Sequence, residues 1–263
     1  MKYFPTSPST AYSLFHKPPH AKRYGIMRIN ERTAVSTAHV LLVPYSAHHV
    51  PKYHMWMKDP EIQEATASEP LSLDEEYDMQ QSWRTDPDKL TFIICRPEES
   101  MVTVRNGLLD ADAMIGDVNM FISTTEDDAG LSLLVGELEL MIAERSEHRK
   151  GYGRAALLAF MRYIVTNEEG VLQELVADQT HAIGRSRLDH FAVKIGQTNH
   201  RSITLFESLG FSRTSDTPSY FGEYELRLER DKVDGLLGSG SARMERFLSG
   251  YEEIEYVCPE YTR

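Results

Sequence analysis

Short apolar runs and stretches of helical period alternate along most of the chain. Residues 40–43, Val40-Leu41-Leu42-Val43, form an apolar run stopped by Pro44; within 48–57, Val50, Tyr53, His54 and Met57 share one helical face. A strand followed by a helix is expected there. Ser72 and Glu75 have the capping-box spacing at the head of 72–83, which predicts a second helix. Segments 91–95 and 114–121 read as paired strands, joined by a polar connection over 96–112 that is expected to be mobile. In the strand expected at 136–143, Glu137, Glu139, Met141 and Ala143 share one face, and Leu138, Leu140 and Ile142 the other. Leu157, Leu158, Met161 and Ile164 then recur at helical spacing over 152–165. A strand over 190–195, a short helix over 202–209 and an alternating strand over 222–228 follow. Residues 167–189 are polar and read as an irregular insertion, and Gly235, Gly238, Ser239, Gly240 and Ser241 read as a linker before an acidic segment at 251–256.

Composition narrows the class. A chain of 263 residues, 41% hydrophobic and 26% charged, supports one large globular domain. Its apolar runs are strand-sized, too short for a membrane-spanning helix. A net charge of −12 argues against binding to nucleic-acid backbones and favours cationic partners. Cys95 and Cys258 have neither disulfide-framework nor zinc-site spacing, which suits a reducing compartment, so a cytoplasmic location is expected. Residues 1–26 carry Lys2, Lys17, Lys22 and Arg23 and no acid, so this stretch is +4 and the remainder −16 (−12 minus 4). It is expected to be a disordered or non-native extension, with organelle targeting as the weaker alternative. The expected division is this extension, a domain over 27–230 and a tail over 231–263.

The stretch His148-Arg149-Lys150-Gly151-Tyr152-Gly153-Arg154 carries the most chemistry. Two glycines one residue apart at a helix start let backbone N–H groups converge on an anion, and the helix dipole favours the negative charge. Arg149, Lys150 and Arg154 add positive charge in an otherwise acidic chain. The alternative is a cationic helix start with glycines for a tight turn. Gly151, Gly153 and Ala156 also fit the dinucleotide fingerprint, but that motif follows its strand almost immediately, whereas residues 144–150 intervene here.

About 45 residues further on, Asn199, Ser202, Leu205, Phe206, Gly210 and Phe211 form an N-x-x-S-x-x-L-[YF]-x-x-x-G-F pattern. With the alternating strand and the glycine loop, these residues resemble the GNAT acetyltransferase superfamily. The stretches Met27-Arg28-Ile29-Asn30, Leu42-Val43-Pro44-Tyr45, Thr66-Ala67-Ser68-Glu69-Pro70-Leu71, Ile115-Gly116-Asp117-Val118-Asn119, the strand from Glu137 to Glu144, and Lys194-Ile195-Gly196-Gln197 narrow the resemblance to the N-acetyltransferase 9-like family. The resemblance implies a single mixed α/β domain with a central, mostly antiparallel mixed sheet, splayed at the acetyl-CoA site, with helices on both faces. It implies that the backbone of Met141, Ile142 and Ala143 holds pantetheine and that the amides of His148, Arg149, Lys150, Gly151, Tyr152, Gly153 and Arg154 hold the pyrophosphate. Asn199, Ser202 and Phe206 complete the implied cofactor set. His148 stands where Arg or Gln opens the usual loop. Phe206 stands where many members carry a tyrosine general acid, and a phenyl ring cannot protonate a thiolate; Tyr220 and Tyr224 are weaker substitutes.

Transfer of acetyl to nitrogen needs a neutral amine. Glu137 and Glu139, two residues apart on one strand face, are the expected bases, and burial together would raise at least one pKa. Glu69, Asp117 and Asn119 are expected to bind the acceptor. His48, His49 and His54 are read as helix residues, and no metal is expected. Deprotonating a lysine at pH 7 costs about 4.6 kcal/mol against about 1.1 for an α-amino group, so a weak base serves an N-terminus more easily. The expected function is acetyl transfer from acetyl-CoA to a protein amine by direct attack in a ternary complex. The competing reading is a CoA-binding, catalytically weak adaptor. The family's link to tubulin and microtubules comes with the resemblance and from no residue of the chain.

Overall fold

A computed structural model of the chain describes residues 27–97, 111–127, 129–176, 187–238 and 242–258. The extension at 1–26 and most of the 96–112 connection lie outside these residues. Nine strands among those described form one sheet. Strands β1 (Thr33–Ser36) and β2 (Leu41–Pro44) lead through a 3-10 turn (Ala47–His49) into helices α1 (Val50–Trp56), α2 (Pro60–Thr66) and α3 (Leu73–Thr85). Then come β3 (Lys89–Cys95), β4 (Met114–Glu126), β5 (Ser132–Ile142), α4 (Tyr152–Thr166) and α5 (Glu168–Val176). The chain continues through β6 (His190–Gly196), α6 (His200–Glu207), β7 (Ser212–Arg213), β8 (Glu223–Glu229), α7 (Arg230–Leu237), α8 (Ala242–Glu245) and β9 (Glu252–Glu255).

The spatial order is β7, β8, β6, β5, β4, β3, β2, β1, β9, and every pairing is antiparallel except that of β5 with β6. Such a sheet is the one the resemblance implies. Strand β3, next to the central β4, is buried along its whole length, so both faces are covered there. On one face α4 buries Leu157, Leu158, Phe160, Met161 and Ile164 against Phe92, Val118, Met120 and Leu138. On the other, α1 and α3 lay Tyr53, Trp56 and Tyr77 over Ile93, Cys95 and Met141. Burying each such side chain contributes roughly 1.5–3 kcal/mol, enough to hold α4 across the sheet.

Two sequence expectations need correction. Residues 168–176, placed in an irregular insertion, are helix α5, and its Glu168 is buried and ion-paired with Arg230 at 3.0 Å. The described residues of 231–263, placed in a tail, are built into the domain. β9 pairs with β1 from Thr33↔Glu255 to Ser36↔Glu252, and Phe247 enters the core beside α4. Glycines and acids masked the sparse apolar anchors Val233, Leu237, Met244, Phe247 and Ile254.

Candidate active site

The parallel pair at the centre of the sheet separates. β5 and β6 pair at Val135↔His190, Gly136↔Phe191 and Glu137↔Ala192, yet β5 runs on to Ile142 and β6 to Gly196. Beyond Glu137 the strands diverge, and Leu140 and Leu205 meet the first turn of α4 at this level. A Cβ on Gly153 would lie 3.2 Å from Leu140 Cδ2 and 3.4 Å from Leu205 Cδ2, so the bare Cα lets the three elements close.

Backbone direction decides which residues face the opening. Backbone pairs alternate along an antiparallel ladder. The Ala143 N–H donates to the Ile115 carbonyl at 2.8 Å, and Met141 lies opposite Asp117 in the same phase. The Met141 carbonyl points at β4 so closely that a Cβ on Gly116 would sit 1.9 Å from it. The polar backbone of Met141 and Ala143 is therefore turned to β4, and of the three residues that the resemblance implies for pantetheine only Ile142 turns its backbone the other way. Leu140 and Ile142 present their backbone to the opening. His148 Nε2 donates to the Ile142 carbonyl at 2.7 Å, which gives this histidine a role in holding the loop to the strand.

The loop after β5 is a 3-10 turn (Arg145–Glu147) followed by two left-handed residues, Arg149 (φ 63) and Gly151 (φ 93), with Lys150 between them. That alternation turns successive N–H groups toward one side, the geometry of an anion nest. Gly151 is the N-cap of α4, and the Ala155 N–H donates the opening bond of the helix to the Gly151 carbonyl at 3.0 Å. The N–H groups of Tyr152, Gly153 and Arg154 precede it and lack helical partners. Together these donors fit a diphosphate. Arg149 and Lys150 are exposed, Lys150 pairs with Glu147 at 2.8 Å, and Arg154 Nη2 donates to Ser208 Oγ at 2.7 Å. Asn199 caps α6 by accepting the Ser202 N–H at 3.2 Å. Phe206 is buried edge-on against Phe211, Tyr220 is 98% exposed, and Tyr224 lies under the Arg213 guanidinium.

The acceptor side differs from expectation. Directly opposed residues of an antiparallel pair share a face. Thr91, Asn119 and Glu139 thus form one row across β3, β4 and β5, and Lys89, Phe121 and Glu137 the next. The two glutamates are not buried together: Glu139 is exposed, and Glu137 is held by Lys194 on β6 at 2.7 Å. The buried carboxyl of this face is Asp117, pushed up to about 7 by burial, with Glu139 raising it further and Lys89 and the Asn119 amide opposing. Asn119 Nδ2 donates to Asp117 Oδ2 at 3.1 Å, while Asp117 Oδ1, Asn119 Oδ1, Thr91 Oγ1 and the Tyr45 hydroxyl are buried without a hydrogen-bond partner among the described residues. Tyr45 and Tyr53 close the face from above, their hydroxyls raised in pKa by burial first and then by nearby acids.

Sequence reasoning missed Lys89, which burial lowers to about 8; its ammonium lies 3.3 Å from the Trp83 ring centre and 3.9 Å from that of Phe121. A lysine heading an otherwise apolar strand was the available signal. Glu69 sits on the exposed connection between α2 and α3, off the sheet. His49 closes a capping box with Ser46 through Nδ1 at 3.0 Å; His54 Nδ1 lies 3.8 Å from Glu76.

Comparison with known proteins fits this geometry. The family model of the acetyltransferase (GNAT) domain matches residues 39–212. The chain is 40% identical over 229 residues to an N-acetyltransferase 9-like protein of Schizosaccharomyces pombe, covering 78% of this chain and 99% of that one. It is 42% identical over 203 residues to the human alpha/beta-tubulin-N-acetyltransferase 9, covering 77% of this chain and 86% of the human protein. Among solved structures, spermidine N-acetyltransferase from Vibrio cholerae in complex with CoA and spermine shares the fold at a TM-score of 0.50 and 13% identity, covering 78% of this chain and 99% of that one. A splayed parallel pair backed by an anion nest, carried on a sequence this similar, makes the chain an acetyltransferase that belongs to the GNAT superfamily and, within it, to the N-acetyltransferase 9-like family.

Proposed function

We propose that this enzyme transfers acetyl from acetyl-CoA to a protein amine, with an N-terminal α-amino group of a tubulin-like partner as the favoured acceptor. The observation that carries this reading is the divergence of β5 from β6 directly in front of the Arg149 to Gly151 nest. Pantetheine adds to the open edge through the backbone of Leu140 and the N–H of Ile142, whose carbonyl is held by His148, and the nest with the first turn of α4 holds the pyrophosphate. Acetyl-CoA supplies an activated thioester.

The chain's own residues then handle the acceptor. Exposed Glu139 takes the proton from the incoming ammonium, because Glu137 is occupied by Lys194. Asp117 and Asn119 lie behind it as a buried acid and amide that bias the row toward a cation. The amine nitrogen bonds to the acetyl carbon, the C–S bond breaks, and the CoA thiolate leaves; backbone N–H groups of the open strand face the developing oxyanion. The α-amino preference follows from the smaller deprotonation cost. The tubulin preference rests on the names of the relatives, and a cytoplasmic site of action goes with it.

Purified full-length chain, labelled acetyl-CoA and peptides bearing tubulin N-termini test the reading. Incorporation should appear on the α-amino group and fall at least about tenfold in Glu139→Gln, within the range that loss of a general base costs. Glu137→Gln should lose less. Equal turnover by wild type and Glu139→Gln rejects the base; CoA binding without transfer to any peptide favours an adaptor.

A further inference from the structure

The chain outside the region matched by the family model, 39–212, returns to the nest from the C-terminal side. A 3-10 turn (Arg246–Leu248) packs along α4, and Phe247 is only 7% exposed. A Cβ on Gly151 would lie 3.3 Å from Phe247 Cε1, so the aromatic ring fills the space beside the left-handed N-cap. The ring also contacts the His39 imidazole at 5.2 Å between centres, and the Arg154 guanidinium lies 5.8 Å from it. Arg246 is exposed, its guanidinium 4.6 Å from the same ring. The segment is anchored on both sides: Leu237 and Met244 enter the core before it, and after it Ser249 accepts the Ala38 N–H at 2.8 Å before β9 joins the sheet.

Two guanidiniums, one from the helix start and one from the C-terminal segment, thus flank a single buried ring beside the anion nest. In a chain of net charge −12, exposed Arg149 and Arg246 beside Arg154 make this corner a cationic exception. A cation next to the first-turn N–H groups of a helix is useful to a ligand with several phosphates, since each added charge strengthens the hold on a neighbouring anion. We propose that the C-terminal segment is part of the cofactor site: Phe247 is a positioning residue for Gly151 and Arg154, and Arg246 binds a phosphate at the nucleotide end of CoA. The proposal rests on the acetyl-CoA reading above and extends it to residues that the glycine motif does not contain.

Calorimetry on the full chain with CoA and dephospho-CoA, and kinetics with acetyl-CoA and S-acetyl-pantetheine, separate the possibilities. Arg246→Ala should weaken CoA binding roughly tenfold, as expected for loss of a charge-assisted contact, and leave the KM for S-acetyl-pantetheine unchanged. Arg246→Lys should restore part of the loss, and added salt should shrink the difference between wild type and variant. If dephospho-CoA binds wild type and Arg246→Ala equally, the contacted group is the 3′-phosphate; if the deficit persists with dephospho-CoA, it is the diphosphate. Phe247→Leu, which keeps an apolar side chain, should melt near wild type yet bind CoA several-fold more weakly. Undiminished CoA affinity in Arg246→Ala, or equal losses with CoA and S-acetyl-pantetheine, overturns the assignment. Failure of the wild-type chain to bind CoA at all overturns the acetyl-CoA reading instead.

Discussion

Burial pushes the Asp117 carboxyl up to about 7, so between about pH 4 and about pH 7 the folded chain holds a proton that the unfolded chain has released. Stability contributed by this group is present in acid and lost as pH rises through that window. The groups facing it are Glu139 and Asn119 on the sheet, Lys89 from the neighbouring strand, and Tyr45 and Tyr53 above. Asp117→Asn keeps the shape and removes the charge. Its melting temperature should exceed that of wild type at pH 8, with a smaller gain at pH 5, in thermal melts at the two pH values; a gain independent of pH would assign the proton elsewhere. The sequence offered Glu137 and Glu139 as bases from their shared strand face, and Asp117 and Asn119 as residues that bind the acceptor. It did not show which of them is paired or buried, because that depends on neighbours from other elements: Lys194 removes Glu137 from contention, and the cover of Tyr45 and Tyr53 makes Asp117 the buried one of the three acids.

At the scale of elements, local signals were legible wherever they rested on contacts within a few residues. The capping box before α3 is formed as the spacing predicts: Ser72 Oγ accepts the Glu75 N–H at 3.4 Å and Glu75 Oε2 accepts the Ser72 N–H at 2.8 Å. Ser72→Ala should cost about 1 kcal/mol, read from the midpoint of a urea unfolding curve, with unchanged slope. The strands predicted at 91–95, 114–121 and 190–195 correspond to β3, β4 and β6, with ends displaced by tertiary pairing. Helix α2, with Pro60 at its start, Asp59 as cap and no buried residue, has no apolar stripe to announce it. β1 is four residues long, and its partners β2 and β9 lie on either side of it from opposite ends of the chain.

For the whole molecule, the C-terminal return is the feature with the largest consequence. β9 covers what would otherwise be the outer edge of β1, and an uncovered edge is a template for pairing with other chains. Ile254, 4% exposed, is the apolar anchor of that strand. Ile254→Asp places a charge in the apolar layer and should lower stability by roughly 3 kcal/mol, with concentration-dependent association in light scattering as β9 detaches. Retention of the wild-type melting temperature and monodispersity would show that β9 does not seal the edge. The sequence by itself determined the alternating elements of the core, the glycine loop between strand and helix, and the family resemblance, because these depend on periodicity and on residues adjacent in the chain. Only the tertiary structure decided that Leu140 and Ile142, not Met141 and Ala143, face the opening, since the phase of a ladder is set by its partner strand. It also decided that Phe247 stands beside Gly151, a contact between residues nearly 100 positions apart that no local pattern encodes.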